Sequence, residues 1–253
     1  MPNISVIMPA YNAERTISAA VLSVLFQTYS DFELIIINDC STDGTAAILD
    51  ELAEKDCRIT VLVNEKNSGV SHSRNRGVAA ARGQWIAFLD SDDMWREDKL
   101  ECQLHTLEKN PQSVVSYTAS AFIDENGNPY GYVMHAEEKT YYKTLLRRNL
   151  MSCSSVMVKA SVMKAVRMPD DRMHEDYFVW LTLLRDGGYA CGVDLPLLIY
   201  RMSSNSQSSS RIRSARMLYN TYRAVGYSAI ASAMLVCGYF RHSVTKRYKI
   251  KNA

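Results

Sequence analysis

The chain has 253 residues, 47% of them hydrophobic and 22% charged, which excludes a disordered chain; 6 Pro and 11 Gly exclude a fibrous one. That length holds one large α/β domain or two small ones. The six cysteines, at 40, 57, 102, 153, 191 and 237, form no C-x-x-C pair, so neither a disulfide scaffold nor a structural zinc site is expected, and a reducing compartment is. Met1-Pro2-Asn3-Ile4-Ser5 shows no basic region followed by an apolar run, so no secretory signal is expected either. The formal net charge of +2 conceals an asymmetry: nine Lys/Arg and no Asp/Glu lie from residue 211 onward, against 20 basic and 27 acidic residues before it. Such a tail fits an anionic partner or, more plainly, a solvated helix surface.

In chain order, Ile4 to Met8 is an apolar run stopped by Pro9 and reads as a buried strand. Ile17, Ala20, Val21, Val24 and Leu25 recur at helical spacing. Glu33 to Asn38 is a second strand, Ser41 to Gly44 a turn with capping residues, and Ala46 to Glu54 a helix. Ile59 to Val63 is a third strand, Val70 to Arg82 a helix closed by Gly83, and Trp85 to Leu89 a fourth strand ending on Asp90-Ser91-Asp92-Asp93. This alternation predicts a doubly wound, mainly parallel α/β sheet flanked by helices, with ligands at the carboxyl ends of its strands. A helix is expected over Arg96 to Leu107. Further on, Val114 to Thr118, Ser154 to Val158 and Leu197 to Tyr200 read as strands, Asn126 to Pro129 as a turn and Glu175 to Leu184 as a helix. A Ser-rich loop fills 203–210. Ala224 to Phe240 is 17 residues without a charge, at the short limit for a membrane span; a helix lying on the membrane or packed on the domain is the preferred reading.

Three carboxylates in four residues repel one another unless a cation is present, and Mg²⁺ or Mn²⁺ takes one or two carboxylates together with phosphate oxygens. An acidic loop capping the next helix is the plain alternative. The tetrapeptide stands last in a series: Val6-Ile7-Met8-Pro9-Ala10-Tyr11-Asn12, then Glu33 to Gly44 with Asn38-Asp39, then Asn67-Ser68-Gly69 with Arg74-Asn75-Arg76-Gly77, then Asp90 to Asp93; Glu175-Asp176 follows some 80 residues later. In this order and spacing the motifs closely resemble the family 2 glycosyltransferases with the GT-A fold, of the bacterial cell-surface polysaccharide type, over roughly residues 3–205.

The resemblance implies a GT-A catalytic domain over 1–205, with a nucleotide-sugar half of about 1–110 and an acceptor half of about 111–205, and a basic helical tail over 206–253. It implies a UDP-sugar donor and a hydroxyl acceptor, with a lipid-linked saccharide in polysaccharide or O-antigen biosynthesis as the expected acceptor. Pro9, Ala10 and Tyr11 match the segment that holds the base, with Glu14 nearby. Asp39 matches the acceptor of the uracil N3–H, and a turn-forming Asp is its alternative role. Asn67 and Gly69 match a loop against the nucleotide, and Arg74 matches a cation near the diphosphate. Asp90 matches a position near ribose and, with Asp92, on the metal, Mn²⁺ or Mg²⁺; Asp93 is undecided. Asp176 matches the catalytic base of an inverting enzyme, with Glu175 in support, although carboxylates at a helix start also answer the helix dipole. Many relatives carry a metal-ligating His where Met202-Ser203-Ser204 stands here. The tail is expected to dock on the inner face of an anionic membrane, making the enzyme cytoplasmic and peripheral, and no nucleic-acid partner is expected. Two rival readings are a nucleotidyltransferase, which should show a Gly-rich phosphate loop where Pro9 to Glu14 has none, and a non-catalytic anionic-polymer binder using the tail, which leaves the acidic motifs unexplained.

Overall fold

The computed structural model describes the backbone of residues 1–202 and 211–251, and the side chains of residues 1–202 and 212–240. The expectations for the Ser-rich loop 203–210 and for the side chains of the last basic cluster lie outside the described residues.

Apolar runs make the first half. Strands β1 (Ile4–Ala10) and β2 (Phe32–Asn38) are buried at every position, as strands covered on both faces must be. Their side chains alternate between two cores. Ile7, Ile35 and Ile37 share one face with Val78; Val6, Met8, Leu34 and Ile36 share the other with Ile17, Val21 and Val24. Those partners come from helix α1 (Ile17–Leu25), and from α3 (Val70–Ala80), with α2 (Thr45–Lys55) adding Leu49 to the second core. Strands β3 (Ile59–Val63) and β4 (Trp85–Phe88) complete a parallel sheet in the order β3-β2-β1-β4. Gly77 explains how closely α3 lies on it: a Cβ there would stand 2.5 Å from Ile7 and 2.8 Å from Ile37.

Beyond β4 the sheet becomes mixed. It continues through β5 (Met94–Trp95), α4 (Lys99–Lys109), β6 (Val115–Ile123), β7 (Pro129–Met134), β8 (Lys139–Tyr141), α5 (Tyr142–Arg147), β9 (Val156–Lys159) and α6 (Ala160–Ala165). The chain then forms α7 (Glu175–Leu184), β10 (Tyr189–Arg201), α8 (Arg211–Val225) and α9 (Ala229–Lys251). The strand order runs on as β4-β9-β6-β10-β5, with β9 antiparallel to both neighbours. The helix expected from Arg96 starts only at Lys99, because Arg96 N–H donates to Leu197 O alongside β10. The late strand is longer than its apolar end. Its pairing with β6 shifts register on both sides of Pro196, which lacks an N–H for the ladder.

The uncharged stretch 224–240 is not one helix. Gly226 at φ +106° breaks it between α8 and α9. Within the segment Val225 is buried and Tyr227, Leu235, Val236 and Tyr239 pack against the domain core, while Ile230 and Met234 are exposed. Leu218, Tyr222 and Val225 of α8 enter the same core as Tyr177, Trp180 and Leu181 of α7. Among the described residues no helix is long and apolar enough to cross a membrane.

Candidate active site

The parallel strands end on one edge, and the loops there are latched together. Asn12, at φ +48°, accepts a hydrogen bond from Thr42 N–H at 2.8 Å and donates its own N–H to Ser41 Oγ at 3.1 Å. Asp39, 4% exposed, organises the next loop: Oδ1 accepts from Asn64 Nδ2 at 2.6 Å and Ser68 N–H at 2.9 Å, and Oδ2 accepts from Gly69 N–H at 2.8 Å. Each carboxylate oxygen has two lone pairs, so Oδ2 keeps one for a ligand. Gly69, at φ +86°, takes a backbone conformation open to glycine, and a Cβ there would meet Asp171 at 2.1 Å.

These loops form one wall of a cleft of about 880 Å³. Pro9, Ala10, Tyr11, Asp39, Asn67, Gly69, Arg74, Asp90, Asp92, Glu175 and Asp176 all line it. Glu14 does not: its Oε2 accepts Gly44 N–H at 2.8 Å, beside the start of α2. Arg74 lines the cleft between the two acidic motifs. It is 3% exposed, and its guanidinium joins the two acidic motifs, donating to Asp90 Oδ1 and Glu175 Oε1, each at 2.6 Å. Both carboxylates hold it firmly protonated despite its burial.

The acidic tetrapeptide divides its work. Asp93, 1% exposed, faces inward and accepts Arg201 N–H at 2.9 Å, tying the loop to β10. Burial first, then Asp92 and Asp90, push its pKa well above the carboxylate range, and it is not among the residues that line the cleft. Asp92 is half-buried, and burial followed by the charge of Asp90 raises its pKa to about 6. Among the described residues no three Asp, Glu, His or Cys side chains gather as a ready-made cage. Two hard oxygen donors, one with a pKa raised by burial and then by the other's charge, nevertheless fit a divalent cation that completes its shell with phosphate oxygens.

Opposite stands the second acidic pair. Glu175 is held by Arg74. Asp176 Oδ1 accepts Tyr177 N–H at 2.6 Å, and Oδ2 has no partner among the described residues. The helix N-terminus alone would lower the Asp176 pKa; burial wins and raises it. His174, before the pair, is lowered by burial and shares a 3.4 Å contact with Ser214 Oγ. The sequence reading missed much of this wall: Asn149, Cys153, Phe122, Met217 and Tyr239 also line the cleft. Met217 lies on α8 and Tyr239 on α9, elements that no shared motif marked.

A parallel half-sheet with acidic residues at the end of its fourth strand, continued by a mixed half with a second acidic pair, has the architecture of GT-A-type glycosyltransferases. The chain belongs to glycosyl transferase family 2, whose family model matches residues 5–169. It is 38% identical over 224 residues to TuaG of Bacillus subtilis (strain 168), a glycosyltransferase provisionally named for teichuronic acid biosynthesis, covering 88% of each chain. It is 37% identical over 213 residues to WfgD of Escherichia coli, named a UDP-Glc:alpha-D-GlcNAc-diphosphoundecaprenol beta-1,3-glucosyltransferase, covering 83% of this chain and 81% of that one. The fold matches that of TarS from S. aureus, solved with UDP-GlcNAc, at a TM-score of 0.75 and 20% identity, over 95% of this chain and 72% of TarS. It matches the mannosyltransferase PcManGT of Pyrobaculum calidifontis, solved with GDP-Man and Mn²⁺, at 0.71 and 17%, over 94% and 68%.

Proposed function

We propose that the protein moves a sugar from a UDP-sugar to a hydroxyl of a lipid-linked saccharide, with inversion at the anomeric carbon. The observation that carries the proposal is the division of labour around Arg74. It ties down Asp90 and Glu175, which leaves Asp176 as the carboxylate of the second pair with an oxygen open to the cleft.

Asp39 Oδ2 would accept the uracil N3–H while Tyr11, 47% exposed at the rim, stacks on the base. Asp92, with Asp90, would hold Mg²⁺ or Mn²⁺, whose chemistry when bound is to neutralise charge on the departing diphosphate. Asp176 takes the proton of the acceptor hydroxyl as its oxygen bonds to the anomeric carbon; the bond to UDP breaks with its electron pair leaving on UDP. A raised pKa suits a base, because proton transfer is most effective when the base titrates near working pH. Holding donor and acceptor in one cleft supplies the proximity contribution. The names of TuaG and WfgD support cell-surface polysaccharide assembly, and WfgD's name supports a diphosphoundecaprenol-linked acceptor. The nine-cation tail would place the enzyme on the inner face of an anionic membrane.

The test is a screen of nucleotide sugars with Mn²⁺ and a GlcNAc-diphosphoundecaprenol acceptor. Mass spectrometry should find released UDP, NMR a β product from an α donor, and excess EDTA should stop turnover. Release of GDP alone, an α product, or full activity in EDTA would each remove the corresponding part of the proposal.

A further inference from the structure

A second cleft, of about 890 Å³, opens on another flank of α3. Val70, Ser73 and Arg74 of that helix face the first cleft; His72, Asn75, Arg76 and Ala79 face the second. Its floor is apolar, with Val78 and Met163 buried. Its walls are cationic. Lys66 and Arg76 stand on the β3–α3 side, Lys164 and Arg167 on the side of α6 and the turn after it, and Glu65 is the sole acid lining it among the described residues. No carboxylate pairs with any of the four cations among those residues, although ion pairs occur elsewhere on the same chain.

Two of the cations are held by backbone rather than by acids. Arg76 Nη1 donates to Val63 O at 2.7 Å and to Asn64 Oδ1 at 2.6 Å, and Lys164 Nζ donates to Ala81 O at 2.7 Å. Carbonyls fix these positions without cancelling their charge. Each side chain keeps further N–H donors, since guanidinium carries five and ammonium three. Four cations on two facing walls, two of them fixed in place, make a receptor for an anion with several oxygens.

We propose that this second cleft binds a phosphate-bearing anion, independently of the nucleotide-sugar cleft. The anion's oxygens accept from Lys66 and Arg76 on one wall and from Lys164 and Arg167 on the other, while the apolar floor takes whatever carbon lies next to the phosphate. The shared chemistry has two sources, a soluble phosphate compound or an anionic lipid headgroup.

Titration calorimetry of the full chain with inorganic pyrophosphate in EDTA tests the site. Wild type should bind. Lys164→Glu with Arg167→Glu should weaken binding by about tenfold or more, as loss of charge-assisted hydrogen bonds implies. Lys66→Glu, on the opposite wall, should weaken it independently. All three residues are exposed; Lys66→Glu should melt as wild type does, and the variant with Lys164→Glu, which loses the bond to Ala81 O, is compared with wild type at a temperature where both are folded. Arg76 is left intact because, through Asn64, it supports Asp39. Absence of binding would overturn the proposal, as would unchanged affinity in both variants, which would place the anion elsewhere. Vesicles then assign the source: displacement of pyrophosphate by phosphatidylglycerol vesicles but not by phosphatidylcholine supports the site with a lipid headgroup as its ligand, and no displacement by either supports it with a soluble phosphate.

Discussion

The two walls of the cleft are built in opposite ways. On the wall proposed to hold the nucleotide, Pro9, Ala10, Tyr11, Asp39, Asn67, Gly69 and Asp90 sit at strand ends or in the loops that follow, and Arg74 rides on α3. Asp39 bonds Asn64, Ser68 and Gly69 of the next loop. The acceptor wall is drawn from 3₁₀ residue Cys153, the start of α7, and helices α8 and α9, and is held by a tyrosine cluster. Tyr177 and Tyr222 pack edge-on at 6.1 Å and donate to Leu145 O and Leu146 O; Tyr239 packs on Tyr177 at 6.2 Å. Local chain chemistry makes the first wall, and distant packing makes the second.

The sharpest way to break this contrast is to remove the C-terminal helices. Met217, Leu218, Tyr222 and Val225 are each 5% exposed or less. At about 1.5–3 kcal/mol per buried side chain, their loss approaches the whole net stability of a domain, about 5–15 kcal/mol. A chain ending at residue 210 should lose its cooperative thermal transition by circular dichroism. An unchanged melting curve would show that the acceptor wall stands without α8 and α9. For the same reason such a shortened chain is a poor probe of membrane binding. Full-length protein with anionic and neutral liposomes at several salt concentrations is the better one, and binding should rise with anionic lipid and fall with salt.

The next largest effect belongs to the acceptor wall alone. Asp176→Asn keeps shape and removes basicity, so kcat should fall by about 10²–10⁴-fold. UDP affinity by calorimetry should not change. Because burial raises the Asp176 pKa, wild-type kcat should decline on the acid side as pH falls through that value, and the variant should lack this limb. More than about a tenth of wild-type kcat in the variant would place the base elsewhere.

How much of this was legible in the sequence follows the same divide. The strand β3 and the helix α7 fall at the residues that apolar pattern and capping predicted, and the motif residues, Glu14 apart, meet in one cleft. Strands β5, β7 and β8 and helices α5 and α6 escaped notice, because two to six residues are too few to show a period. Met217 and Tyr239 carry no signal that separates a cleft-lining side chain from a core one. Arg74 was visible as a cation in a motif, but its pairing with Asp90 and Glu175 joins positions 16 and 101 residues away, which spacing alone does not reveal.

On the nucleotide wall the effects should be smaller, since several contacts share each task. Asp39→Asn replaces two acceptor oxygens with one and sets an NH₂ group against either the uracil N–H or the loop amides. UDP affinity should weaken by about 1–3 kcal/mol, the cost of a lost charge-assisted bond. Preference over GDP should shrink with it. Equal affinity for UDP in variant and wild type would remove Asp39 from base selection and leave it as the anchor of the Ser68–Gly69 loop.

The smallest effect is electrostatic and tests whether the two walls share one charge balance. Asp92 titrates near 6 in the folded protein against an ordinary 3.8, chiefly through burial and then through Asp90. Between those values the folded state holds a proton that the unfolded chain has released, so stability falls as pH rises across that window and is level above it. The side chain is half-exposed to solvent, and after allowance for screening the penalty at neutral pH is about 1–2 kcal/mol. A divalent cation between Asp92 and Asp90 would cancel the repulsion and displace the proton. Mn²⁺ should therefore raise the melting temperature by about 2–6 °C more at pH 7.5 than at pH 5. Asp92→Asn should abolish that difference, because it has no proton to lose and no charge to offer. Glu175→Gln should preserve it, since Glu175 meets this site only through Arg74. If Glu175→Gln instead removes the Mn²⁺ effect, Arg74 carries charge information between the walls, and the acidic motifs behave as one cluster rather than two.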